Sequence, residues 1–230
     1  VMKNLLHGIG VTLVVAIFAA IGVIGLQNDW LLPKPAAVQA GPIDQLFSYH
    51  WILISVLFAL IFGIMVYSFI FFRRKPGDET DGPHIEGNNK LEVTWTIVPL
   101  ITVLSFAVIG SQTLREVLLP DPEAMEVRVI GQQWAWRFEY PDFGITSTEL
   151  VLPINQQVLL RMESVDVLHS FWVPEFRIKQ DLVPGQETQM RITPNRIGEY
   201  KVSCAEICGA SHYAMVADVQ VVGEREFINW

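Results

Sequence analysis

Three long stretches carry no formally charged side chain, and all three fall in the first half of the chain: Leu5 to Leu26, Tyr49 to Phe72 and Val93 to Thr113. Each has the roughly 20 apolar residues needed to cross a bilayer as a helix. Beyond Pro120-Asp121-Pro122 the period shortens. Val127 and Val129 alternate with Glu126 and Arg128, and Val158, Leu160 and Met162 with Arg161 and Glu163. Met190 and Ile192 flank Arg191, and Val219 and Val221 alternate with Asp218 and Gln220. Short alternating runs broken by turns such as Pro184-Gly185 predict an antiparallel all-β sandwich or barrel over residues 123–223.

The flanks of the apolar runs set their orientation. Lys3 precedes the first run, and Val38-Gln39-Ala40 resembles a small-residue cleavage site, so the segment has the look of a secretory signal. Its length argues instead for a retained helix with Lys3 on the cytoplasmic side. The Trp30-to-Gly41 stretch, with Pro33 and Pro35 inside it and Pro42 just beyond, reads as a linker. Arg73-Arg74-Lys75 ends the second run and marks a cytoplasmic boundary. Gly77 to Asn89 reads as a polar surface loop, and Pro99 as lying near the start of the third run, where a missing N–H costs least. The expected organisation is an N-terminal apolar helix and linker (1–47), a transmembrane hairpin with its turn inside (48–114), and an extracytoplasmic β domain (115–230).

Charge agrees with that division. Of 230 residues, 51% are hydrophobic and 17% charged, too apolar for a simple soluble domain. Ten cationic residues face seventeen acidic ones from Arg115 onward, which accounts for nearly all of the net charge of −8. An acidic surface favours basic partners and argues against nucleic acid.

The chemistry concentrates in Cys204-Ala-Glu206-Ile-Cys208-Gly-Ala-Ser-His212-Tyr-Ala-Met215, which holds both cysteines of the chain. Thiols and a thioether are soft ligands and imidazole is borderline, a set suited to copper far better than to calcium or magnesium. Upstream, His169 offers a second imidazole. A sheet sandwich with such a loop suits a mononuclear blue-copper site, and two thiols four residues apart can also bridge two coppers. A disulfide and a structural zinc site are the plainer readings. His7, His50 and His84 lack ligand neighbours, and Met65, Met125, Met162 and Met190 read as packing. Trp134 and Trp136, either side of Ala135, would share one face of a strand.

At these residues the loop resembles the dinuclear CuA signature of subunit II of haem–copper cytochrome c oxidases, C-x-E-x-C-x3-H-x2-M. Further matches are His169-Ser170, Pro174, Lys179, Asp181 and Pro184-Gly185; the aromatic block Gly131 to Tyr140; and Glu92-Val-Thr-Trp95-Thr-Ile-Val-Pro99. The likeness runs from about Tyr49 to Val222. It implies a cupredoxin-like sandwich on a membrane α-helical anchor, with Cys204 and Cys208 bridging two coppers and His169 and His212 as terminal ligands. Met215 and the Glu206 carbonyl would be weak axial donors, and the Glu206 carboxylate would reach magnesium or manganese at a subunit interface. Trp134 would admit electrons from cytochrome c, Glu139, Asp142 and Glu149 would help dock it, and Glu92 would stand at a proton-channel mouth. The partners implied are the haem–copper catalytic subunit I, which holds the haems, other oxidase subunits, and cytochrome c, soluble or membrane-tethered.

Some positions depart from the family. Ala135 stands where many members have Tyr, and Phe143, Gly144 and Ile145 interrupt the docking carboxylates, which favours a membrane-tethered or less basic donor. No C-x-x-C-H occurs and the chain stops at Trp230, so no fused haem domain is expected. The CuA subunit of a nitric oxide reductase and a membrane-anchored copper carrier or sensor are the rivals. Nitrous oxide reductase usually has Trp where Glu206 stands, and quinol oxidase subunits lack the cysteines. The added N-terminal apolar segment places the expected protein in a bacterial plasma membrane, multi-pass, with the copper domain on the periplasmic side.

Overall fold

The computed structural model describes residues 2–26, 32–74, 76–82, 84 and 86–230. Trp30, expected to open the linker, and Lys75, expected to complete the cationic boundary, lie outside the described residues, as does the side chain of Lys3. The chain forms two units, Val1–Trp30 with Leu46–Gln112, and Leu31–Gln45 with Thr113–Trp230.

The first unit is helical. Among the described residues, α1 (Met2–Leu26), α2 (Ala40–Phe71) and α3 (Asn89–Val117) are each long and apolar enough to cross a membrane. Small residues let α1 and α2 approach closely. A Cβ on Gly22 would come within 2.7 Å of Ser55, and one on Gly63 within 2.9 Å of Val15. The Trp51 indole N–H donates to the Gly22 carbonyl at 2.8 Å, and His7 hydrogen-bonds the Tyr67 hydroxyl. Polar contacts of this kind are the usual glue between helices in lipid, where hydrophobic burial gives no preference for a partner helix.

Asn88 caps α3, its side chain accepting from the N–H groups of Lys90 (3.1 Å) and Leu91 (3.2 Å). Glu92 reciprocates by accepting from the Asn88 N–H at 3.2 Å. Because this cap starts the helix at Asn89, Pro99 lies in the interior of α3 and not near its start. Its ring therefore removes one helical hydrogen bond.

The second unit is a sandwich of two five-stranded sheets. One sheet runs in the order β3 (Ile145–Ser147), β2 (Ala135–Tyr140), β1 (Met125–Gln132), β5 (Val158–Ser164), β8 (Thr188–Ile192). The other runs β4 (Leu150–Pro153), β10 (Val216–Val222), β9 (Gly198–Cys204), β6 (His169–Trp172), β7 (Lys179–Leu182). The predicted alternation is present: Val127, Val129, Val158, Leu160, Met162, Met190, Ile192, Val219 and Val221 are all buried. The pairing is not purely antiparallel, since β1 pairs with β5 and β10 with β4 in parallel. The two sheets are stitched by Tyr140, whose hydroxyl donates to the Val151 carbonyl (2.9 Å) and accepts from the Val151 N–H (2.7 Å).

The segment read as a linker belongs to this unit. The Ala36 N–H donates to Glu175 O and the Val38 N–H to Thr193 O, both at 2.9 Å, while Ala36 O accepts from Asn195 N at 3.0 Å. Ala36, Ala37, Gln39 and Ala40 are buried, and Arg177 Nε meets Asp44 at 2.7 Å. Residues 32–39 are therefore a strap along the sandwich, and α2 begins at Ala40, nine residues before the expected Tyr49.

Candidate metal centre

Two loops at one end of the sandwich converge on the thiols. Cys204 is the last residue of β9, and its N–H donates to Met215 O at 3.0 Å, closing the loop just before β10. His169 opens β6 on the neighbouring strand, fully buried, and the Ala205 N–H ties the cysteine loop to Ser170 O at 2.9 Å. Room for the imidazole comes from Gly131 on β1, where a Cβ would lie 3.1 Å from the His169 ring. His212 sits in a short 3-10 turn, His212–Ala214, that returns the chain to β10.

The donor atoms meet closely. His169, Cys204 and Cys208 place their ligand atoms within 4.8 Å of one another. Cys204 Sγ lies 3.8 Å from Cys208 Sγ and 3.8 Å from His169 Nδ1. Cys208 Sγ lies 3.5 Å from His212 Nδ1 and 3.7 Å from Met215 Sδ. The Glu206 carbonyl is 3.2 Å from Cys204 Sγ, while its residue is exposed and leaves the carboxylate at the surface.

These spacings fit metal, not a disulfide. A disulfide needs sulfurs about 2.05 Å apart, and both cysteines are free. Metal–sulfur and metal–nitrogen legs of about 2.3 and 2.0 Å at a tetrahedral angle span about 3.8 Å between two sulfurs and about 3.5 Å from sulfur to nitrogen. The two sulfurs at 3.8 Å and the Cys208–His212 pair at 3.5 Å match these spans, and the Cys204–His169 pair at 3.8 Å is slightly longer than its own. Spacing alone serves any tetrahedral soft ion, and the thioether of Met215, superfluous in a zinc site, tilts the donor set to copper.

Burial pushes the Cys208 thiol up to about 11, and the adjacent Cys204 adds to the effect. A soft cation that binds must therefore displace protons as it loads. Behind the ligands, His169 Nε2 hydrogen-bonds Asp166 Oδ1 at 2.8 Å. Partial burial works against the Asp166 charge. Hydrogen bonds from the Gln133 N–H, the His169 imidazole and the Val167 N–H outweigh it and hold the carboxyl below the usual range.

Trp134 and Trp136 do not share a face. Gln132 pairs with Ala135, so Gln133 and Trp134 form a two-residue hairpin loop and β2 starts only at Ala135. Trp134 is 38% exposed and Trp136 3%. Both still touch the centre: the Trp134 indole donates to Cys208 O at 3.2 Å and the Trp136 indole to Met215 O at 3.4 Å.

The three acidic residues read as docking groups are not gathered at Trp134. Glu139 is engaged by Arg128 (3.5 Å) and Arg137 (3.4 Å). Glu149 accepts from Gln220 at 3.3 Å, and Asp142 lies past the far end of β2. The carboxylate beside the Trp134 turn is Asp166, through the Gln133 N–H at 2.7 Å. Reasoning from sequence missed Asp166, Gln133 and Gly131. Only Asp166, three residues before the candidate ligand His169, offered a local signal.

Fold and donor set together define a membrane-anchored, cupredoxin-like domain with a soft-metal centre. Two family patterns match the chain, the transmembrane domain of cytochrome c oxidase subunit II over residues 25–112 and its periplasmic domain over residues 145–222. Cytochrome c oxidase subunit 2 of Synechocystis sp. is 33% identical, covering 89% of this chain and 76% of that relative. The Thermostichus vulcanus counterpart is 32% identical, covering 89% and 78%. A crystal structure of the periplasmic domain of subunit II of cytochrome oxidase from Bradyrhizobium japonicum aligns with a TM-score of 0.46 at 26% identity, covering 49% of this chain and 94% of that one. The chain belongs to the cytochrome c oxidase subunit II family.

Proposed function

We propose that the chain takes electrons one at a time from a cytochrome c at Trp134 and relays them through a dinuclear copper centre to a haem–copper catalytic subunit that reduces oxygen. Cys204, Cys208, His169 and His212 would hold the metal, with Met215 and the Glu206 carbonyl as further, weaker donors. When bound, copper at these donors would supply a one-electron couple. The chain's own residues do the rest. Burial of Cys204, Cys208 and Met215 keeps water from the sulfurs, Asp166 orients the His169 ring, and the exposed Trp134 indole stands one hydrogen bond from the Cys208 backbone.

The single observation that carries this reading is the 3.8 Å separation of two free, buried thiols, each with an imidazole beside it. The test is an electron paramagnetic resonance spectrum of the oxidised protein. A seven-line copper hyperfine pattern supports it, and a four-line spectrum or none sinks it.

Finer assignments belong to the same proposal. The exposed Glu206 carboxylate is the ligand for magnesium or manganese at the subunit interface, where a hard oxygen is suited. Glu92 serves as the proton-channel entry in addition to its capping bond. Glu139, Asp142 and Glu149 contribute a diffuse field for the donor, not a ring around Trp134. Arg73 and Arg74 after α2 fix a cytoplasmic turn, which puts the copper domain outside a bacterial plasma membrane.

A further inference from the structure

Gln133 hydrogen-bonds to both arms of the donor set. Its main-chain N–H donates to Asp166 Oδ2 at 2.7 Å, and Asp166 Oδ1 holds His169 Nε2 at 2.8 Å. Its side-chain amide donates to the Cys208 carbonyl, again at 2.7 Å. That carbonyl belongs to the peptide joining Cys208 to Gly209, and Gly209 has φ +121°. Glycine crosses between positive and negative φ with little penalty, so this peptide plane would turn freely unless its oxygen were pinned. A Cβ on Gly209 would lie 2.8 Å from Gln133 Nε2 and 3.1 Å from the Trp134 ring, so the amide is seated flush against the glycine. The second donor to the same oxygen, the Trp134 indole, is longer at 3.2 Å and belongs to a partly exposed side chain.

We infer that Gln133 is a positioning residue: it fixes the Cys208–Gly209 peptide, and with it the turn carrying His212, in register with the His169 imidazole. The inference rests on the copper reading of the site and adds to it a residue that touches no metal. A thiol four residues from its partner and an imidazole four residues beyond it can swing together as a loop. The donor set stays closed because one residue of the β1–β2 hairpin binds that loop on one side and the His169 orienter on the other. Groups behind the ligands in this way typically change metal affinity by 10–100-fold when removed.

The test compares Gln133→Leu, Gln133→Glu, Asp166→Asn and the Gln133→Leu/Asp166→Asn double variant, each as the full chain in its assembled oxidase. Gln133→Glu keeps the shape and loses the donor. Copper retention against a chelator and the copper hyperfine spectrum are read together with the unfolding midpoint of the metal-free full chain. Both Gln133 variants should lose copper at about 10-fold lower chelator concentration and show an altered hyperfine pattern, with the metal-free midpoint unchanged. The double variant should lose less than the product of the single effects, because Asp166 and the Gln133 amide act through one hairpin. A wild-type spectrum and retention in both Gln133 variants would overturn the inference, and so would single effects that simply multiply. A wild-type chain without a copper pair would overturn the proposed function itself, and the inference with it.

Discussion

Asp166 and His169 are three residues apart and joined by a 2.8 Å hydrogen bond that leaves His169 Nδ1 facing Cys204 Sγ. One ring nitrogen is spent on the carboxylate, so the other is committed to the metal side. Asp166 Oδ2 is held in turn by the Gln133 N–H, which fixes the carboxylate before any metal arrives. Metal-ligating histidines are commonly oriented in this way.

Replacing Asp166 with Asn is therefore expected to weaken copper retention by about 10-fold or more while leaving the sandwich folded. The check is chelator competition followed by the visible spectrum, alongside the thermal midpoint of the metal-free chain. Retention equal to wild type would show that the imidazole needs no orienting partner.

Tyr140 is the rivet between the sheets. Burial pushes its phenol well above the ordinary value, even against the hydrogen bond with Val151. Tyr140→Phe leaves the Val151 N–H without its acceptor in a buried position, a loss of about 2–4 kcal/mol once the carbonyl contact is included. A urea titration of the metal-free chain measures it. The copper spectrum should not change, since Tyr140 ends β2 and the Cys–His–Met donor set lies at the strand's other end.

Much of this was legible because the signals are local. A bilayer demands an unbroken apolar run, so the three helices long enough to cross one stand out. The soft donors from Cys204 to Met215 fall within one loop, so their chemistry could be read from spacing. What could not be read depends on partners far along the chain. Gln39 holds the strap by accepting from the Thr193 N–H at 2.9 Å, 154 residues away. Gln133 reaches Cys208 across 75 residues. Gly41 and Pro42 looked like the end of a linker, yet proline is at home in the first turn of a helix, where α2 places it. Trp134 was put on the wrong face because alternation was extended one residue past the start of β2, into a turn.

Acid should loosen one edge of the first sheet. The hydrogen bond from Arg161 holds the Glu187 carboxyl below its ordinary value, and Arg161 also pairs with Glu126 at 2.7 Å. A carboxyl with a lowered folded pKa contributes stability that is present above the unfolded value of about 4.3 and lost as pH falls through the folded one. Glu187→Gln should thus flatten the pH dependence of the thermal midpoint below about pH 5 and converge with wild type at the acid end. Identical pH profiles for the two proteins would exclude this pair as a contributor. The effect is small, because both groups are solvated.

Arg177 decides whether the strap stays down. Its guanidinium is nearly buried and contacts Asp44 Oδ1 (2.7 Å), Pro174 O (2.9 Å) and Pro33 O. The residue sits at φ +64°, a conformation that Leu or Met would share, so Arg177→Met removes the guanidinium without changing the backbone problem. Charged hydrogen bonds are worth about 1.5–3 kcal/mol, so local opening of residues 32–39 should become about 10-fold or more frequent. Limited proteolysis of the full chain in detergent, scored by cleavage within that segment, reads the change directly. The copper spectrum serves as the control, since the strap touches none of the metal donors. Equal cleavage rates would mean that the bridge from Ala37 to Pro194 and the Gln39–Thr193 bonds hold the strap unaided. Faster cleavage confined to residues 32–39 would make Arg177 the latch of this segment.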